Sequence, residues 1–254
     1  MPKKLIIGNW KMNPQSLKEA DILFKSIGAI ALKAKNADIV MCPPFVYLSH
    51  LKELKLKKIS LGGQDVFYES KGAFTGEVSP AMLSDAGASY VIVGHSERRM
   101  LGETDEIINK KLLAVLKVKL TPILCVGEEI REDDGSYLSV VKRQLSSCLA
   151  GIPKNKIKDI VIAYEPVWAL SSTENRRDAT PHDFEEMRIY IRKILTDMYS
   201  VAMASSVRIL YGGSANKDNA ESFLKAGASG LLSGKASLDP KNFGAIITIA
   251  NNIT

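Results

Sequence analysis

Eight short apolar runs, each followed by a longer stretch with helical spacing, divide almost the whole chain, and this alternation restricts the fold more than any other feature. The runs lie at 5–10, 38–43, 59–66, 90–95, 120–127, 160–166, 207–213 and 230–234. They are rich in Val, Ile and Leu without strict apolar–polar alternation, the pattern of strands covered on both faces. Helical stretches such as 16–34, 103–117, 182–199 and 218–226 separate them. Pro181 stands where the first turn of a helix tolerates proline. Parallel strands joined through helices cross over right-handedly, and eight such units close most naturally into a barrel. The sequence therefore predicts an α/β fold, a (β/α)8 barrel of eight parallel strands, as a single domain over residues 1–254.

An open doubly wound sheet is the structural alternative. Such a sheet usually announces a dinucleotide by GxGxxG after its first strand, and Gly8-Asn9-Trp10-Lys11 is not that motif. Gly234-Lys235 likewise lacks the upstream glycine and the following Ser or Thr of a phosphate-binding Walker loop. The barrel is the better reading.

Composition narrows the function classes. Lys and Arg exceed Asp and Glu by 34 to 28, a net +6, but the lysines are scattered and no basic run is interleaved with aromatics. A nucleic-acid surface is not expected from that distribution; an attraction for anionic substrates is. The apolar runs are far too short to cross a bilayer, and the basic start of the chain is not followed by the apolar stretch of a secretory signal. Cys42, Cys125 and Cys148 are odd in number and widely spaced. That excludes a fully paired disulfide framework and a CxxC metal or redox motif, and fits a reducing cytoplasm. No metal and no cofactor is expected.

In a barrel of this kind chemistry collects at the C-terminal ends of the strands. The first run ends in Asn9 and Lys11, the fourth in His95 and Glu97, and the sixth in Glu165. The seventh ends in Gly212-Gly213-Ser214 and the eighth in Ser233-Gly234-Lys235, small residues whose backbone N–H groups can approach an anion closely. Loops after the last two strands commonly bind phosphate, so the set points to acid–base chemistry on a small phosphorylated substrate. Each residue also has a plainer reading. His95 alone could cap a buried strand, Glu165 could pair with a lysine, and Lys11 and Glu97 could orient each other. His50 and His182 read as surface residues, and Cys125 as a small buried one.

Read together, Gly8-Asn9-Trp10-Lys11-Met12-Asn13, Gly72-Ala73-Phe74-Thr75-Gly76-Glu77, Val93-Gly94-His95-Ser96-Glu97-Arg98-Arg99, Ala163-Tyr164-Glu165-Pro166-Val167-Trp168, Tyr211-Gly212-Gly213-Ser214 and Ala236-Ser237-Leu238 closely resemble the triosephosphate isomerase family. The resemblance covers nearly the whole chain and implies a TIM barrel that interconverts dihydroxyacetone phosphate and D-glyceraldehyde 3-phosphate through an enediolate. It implies Glu165 as the base, His95 as the electrophile, Lys11 and Asn9 as polar partners of substrate, Glu97 as the holder of Lys11, and Ser96 as a resting partner of Glu165. Ser171, Ser214, Gly234 and Lys235 would offer backbone N–H groups to the phosphate. A projecting loop with Phe74 and Thr75 would enter a partner subunit of a homodimer. An epimerase, an aldolase or a catalytically weakened binding barrel are the competing functions. The chain departs from the family pattern in two places. Residues 169–181 are longer than the family's lid and lack glycine, and Lys235 stands where a glycine is usual.

Overall fold

The computed structural model describes residues 3–132, 134–170 and 177–253. Eight parallel strands close into a barrel in chain order: β1 (Lys4–Asn9), β2 (Ala37–Cys42), β3 (Ile59–Gly63), β4 (Ala88–Val93), β5 (Thr121–Val126), β6 (Val161–Tyr164), β7 (Arg208–Tyr211) and β8 (Gly230–Ser233). β8 returns to β1, with Leu5 opposite Gly230 and Gly8 opposite Ser233, so no strand edge is left open. The expected barrel is what the chain forms.

Alternation along each strand builds two separate cores. Leu5, Ile7, Val40, Cys42, Ile92, Ile123, Cys125, Leu210 and Leu232 point into the barrel and fill it. Their neighbours Ile6, Ile39, Met41, Val91, Val93, Leu124 and Ile209 point outward into a larger cluster beneath the helices. Both faces are therefore buried, which is why the strand sequences show no polar face.

The helices among the described residues are α1 (Leu17–Ala31), α2 (Phe45–Glu53), α3 (Pro80–Asp85), α4 (Ser96–Met100), α5 (Asp105–Lys117), α6 (Ser136–Cys148), α7 (Pro181–Met198), α8 (Val201–Ser206), α9 (Ala220–Lys225) and α10 (Pro240–Asn252). Their starts follow local chemistry. Ser16 caps α1 by accepting from Glu19 N–H, and Thr180 and Asp183 form a reciprocal capping box with Pro181 in the first turn of α7. Such caps contribute about 1 kcal/mol each.

The expected strands run one to three residues too far at their C-terminal ends. The overshoot has a physical cause: at the barrel mouth the chain leaves the ladder and turns its polar groups inward. After β4, Gly94 adopts φ 72°, a left-handed conformation that few other residues hold without strain. His95 and Glu165 consequently lie just beyond paired backbone, on short loops anchored by rigid strands.

Candidate active site

The site begins at Lys11, a non-glycine residue held at φ 52°. Such a backbone costs about 1–3 kcal/mol and persists only when its surroundings impose it. Three bonds do so. The Lys11 N–H donates to Asn9 Oδ1 at 3.0 Å, the Lys11 carbonyl accepts from Gln64 Nε2 at 2.8 Å, and Nζ donates to Glu97 Oε1 at 2.6 Å. The ammonium is thus aimed from loop to loop across the mouth. Gln64 was not foreseen from the sequence; nothing in its spacing distinguishes it from an ordinary loop glutamine.

His95 caps α4, and its Nδ1 accepts the Glu97 backbone N–H at 3.2 Å. A ring nitrogen that accepts carries no proton, so in the neutral imidazole the hydrogen resides on Nε2. Nε2 lies 3.3 Å from Glu165 Oε1. The other carboxylate oxygen, Oε2, accepts the Ser96 backbone N–H at 3.1 Å. Glu165 and His95 are both buried, at 2% and 7% exposure, so the pair works in a medium where charge interactions are strong. Two glycines make room for Glu165: a Cβ on Gly212 would stand 2.9 Å from its Cγ, and one on Gly127 would strike its carbonyl oxygen at 1.7 Å.

A cavity of about 370 Å³ joins these groups to the last two strand ends. Asn9, Lys11, His95 and Glu165 line one side, and Gly212, Gly213, Ser214, Gly234 and Lys235 the other. Gly234 is pressed against Lys11, whose Cε would lie 3.2 Å from an added Cβ. Lys235 opens the short turn Lys235–Leu238, where the first N–H groups have no partner within the turn. Its φ is not positive, so the lysine holds this position without the strain seen at Lys11. The Ser214 hydroxyl donates to the Ala169 carbonyl at 3.1 Å, joining the seventh loop to the segment after Glu165. Ser171 lies outside the described residues.

Behind Glu165 is a polar knot that sequence reasoning missed. Glu128, wholly buried, accepts on Oε1 from Tyr164 OH at 2.7 Å and from Trp168 Nε1 at 2.8 Å, with Arg131 Nη1 at 3.4 Å. Burial pushes the Glu128 carboxyl above the usual carboxylate range, and the Trp168 and Tyr164 bonds oppose that rise. The pattern Gly-Glu-Glu after the fifth strand was the available sign, but a strand-end glutamate facing away from the mouth looks no different in sequence from one facing into it.

The other two histidines lie at the surface, as the sequence suggested, and Cys125 is buried. His50 is exposed and contacts Asp21 at 3.2 Å, and His182 sits in the first turn of α7. Cys125 is wholly buried beneath Glu165; burial, then the Glu165 charge, raises its thiol well above the ordinary value, the opposite of nucleophile activation. Phe74 is 44% exposed on the loop after β3, its ring 4.7 Å from that of Phe67 and tilted to it by 49°. Among the described residues no His, Cys, Asp and Glu cluster could hold a metal ion, and no helix is long and apolar enough to cross a membrane.

A family model described as triosephosphate isomerase matches residues 4–250. The chain belongs to the triosephosphate isomerase family. Proteins named triosephosphate isomerase from Endomicrobium trichonymphae and Moorella thermoacetica are each 44% identical to it, over 97% of this chain and 98% of theirs. The protein of that name from Aquifex aeolicus is 42% identical over 96% of this chain and 98% of its own. The match covers nearly the whole length of this chain and of each relative.

Proposed function

We propose that the chain is an intramolecular aldose–ketose isomerase acting on triose phosphates, with residues 1–254 as one working domain. The observation that carries the reading is the pairing of Glu165 Oε1 with His95 Nε2 at 3.3 Å, at one end of a cavity whose other end is a pair of small-residue loops. In this reading Glu165 takes the proton from C1 of dihydroxyacetone phosphate as the electron pair moves onto the carbonyl oxygen at C2. The enediolate so formed is stabilised by the His95 Nε2–H, by the Lys11 ammonium and by an Asn9 hydrogen bond. His95 passes a proton between the two oxygens, and Glu165 returns its proton to C2 to give D-glyceraldehyde 3-phosphate. No cofactor is consumed, because the electrons stay within the substrate.

Glu97 holds Lys11, and Ser96 gives Glu165 a resting place. Backbone N–H groups of Ser214, Gly234 and Lys235, with Ser171 from the lid, grip the phosphate. The loop with Phe74 and Thr75 supports a homodimer, and the three unpaired cysteines a cytoplasmic location. A dehydrogenase-coupled assay run in both directions tests the function. Interconversion that fails at substrate concentrations of several millimolar, with folded protein, overturns it.

A further inference from the structure

Arg177 returns from the far side of the lengthened segment to stack on Trp168, its Cζ 4.2 Å above the indole ring. Its guanidinium is also 3.8 Å from Asp183, the residue that completes the capping box of α7. Trp168 is thereby held at its edge by Glu128 and over its ring by two cations, Arg177 close at 4.2 Å and tied to a different element, and Arg131 further off at 5.8 Å. The tryptophan lies in the turn Val167–Ala169, which follows Glu165 and carries the carbonyl that Ser214 binds. Arg177 itself does not line the catalytic cavity.

We infer that Arg177 is a positioning residue: through its stack on Trp168 it fixes the turn that joins Glu165 to the phosphate loop. The inference rests on the isomerase reading for its kinetic consequence, but not for its structural one. Planar guanidinium is the group suited to this task, because it covers an aromatic face while its edge still reaches a carboxylate. Lysine, a point charge on a flexible stem, would pair with Asp183 and cover the ring poorly. Without the cover Trp168 loses the nearer of its two cations, the Ala169 carbonyl drifts relative to Ser214, and the phosphate end of the cavity loosens.

The test compares Arg177→Ala and Arg177→Lys with the unaltered full-length protein. Acrylamide quenching reads the position of Trp168, because Trp10 is wholly buried. Quenching should rise in the alanine variant and fall between in the lysine variant. The dissociation constant for inorganic phosphate and the KM for triose phosphate should rise about two- to fivefold with kcat changing less, the weight of an exposed cation–π contact. The side chain is 58% exposed, so the melting temperature should hold. Unchanged phosphate affinity and KM overturn the inference whether or not quenching moves, and so does a rise in both with quenching unaltered. If the unaltered protein proves not to be an isomerase, quenching and phosphate titration still decide the role of Arg177.

Discussion

The hydrogen bond that parks Glu165 comes from the backbone of Ser96: its N–H reaches Glu165 Oε2 at 3.1 Å, while the buried Ser96 hydroxyl has no hydrogen-bond partner among the described residues. The carboxylate therefore rests on the first turn of α4, a place fixed by the fold rather than by a side chain. Its other oxygen faces His95 Nε2, and the capping bond from Glu97 N–H decides which ring nitrogen is turned that way. Strand, cap and carboxylate make one rigid arrangement, and its consequences can be measured separately.

Ser96→Ala keeps the backbone donor and removes an unsatisfied buried oxygen. Turnover should stay within about threefold of the original, and stability should hold or rise by up to ~1 kcal/mol. A loss of a hundredfold would show that the hydroxyl, and not the N–H, is what Glu165 needs.

Glu165→Gln preserves the shape of the site and abolishes the base, so turnover should fall by ~10³-fold or more while substrate affinity changes little. His95→Gln should also slow turnover strongly, since the amide donates a hydrogen bond but cannot pass a proton on. A fall of less than tenfold in the first variant removes Glu165 from the role, and an unaltered second variant leaves His95 as packing.

Lys235 lines the end of the cavity formed by the last two strand loops, the proposed phosphate site, and is an exposed cation with no ion pair to another described residue. Lys235→Met keeps the backbone N–H and removes the charge. The dissociation constant for inorganic phosphate should rise about two- to fivefold in low salt, in keeping with an exposed charge pair. The difference should vanish as salt shortens the screening length to about 3 Å near 1 M. Equal affinities at low salt would confine Lys235 to its backbone contribution.

All three thiols are buried, and burial raises each of them; that of Cys148 is pushed up to about 12. At pH 8 a thiol so raised is a thiolate about a thousandfold less often than one at its ordinary value. Native protein should therefore react very slowly with a disulfide reagent, faster as pH climbs towards 12, and all three should react at once in denaturant. Rapid labelling of one thiol in the native protein at pH 8 would contradict this burial.

The barrel was legible in the sequence because both faces of every strand are covered, so the apolar runs stand out and their order alone dictates the closure. The strand-end residues were legible for a related reason: Asn9, Lys11, His95 and Glu165 interrupt apolar runs, and polar groups there need an explanation. What stayed hidden depends on side-chain direction. Glu128 and Gln64 look like loop residues until the fold turns one beneath Trp168 and the other under the Lys11 carbonyl. The stack of Arg177 on Trp168 was invisible too, since it joins two points of the chain that no periodicity links.

The proposed homodimer makes a prediction about what the mouth leaves uncovered. A second cavity of about 370 Å³ adjoins Lys11, His95 and Glu97 on the side away from Ser214, and Met12, Phe45 and Leu101 rim it. Met12 and Leu101 are 84% and 77% exposed, Val46 and Met82 80% and 59%, and Phe74 44%. The exposed Met12, Phe45 and Leu101 give this opening an apolar rim, the mark of a surface that another protein covers. A second copy is the economical partner, because its own loop with Phe74 and Thr75 offers a projecting apolar group to fill the cavity under twofold symmetry. In such a dimer the incoming loop would press on Lys11 and His95, so loss of assembly should also lower activity. Phe74→Asp with Thr75→Glu should sediment as a monomer and turn over poorly, while its helical circular dichroism stays that of the original barrel. If the unaltered protein sediments at micromolar concentration as a fully active monomer, the uncovered mouth has another purpose and the dimer is wrong.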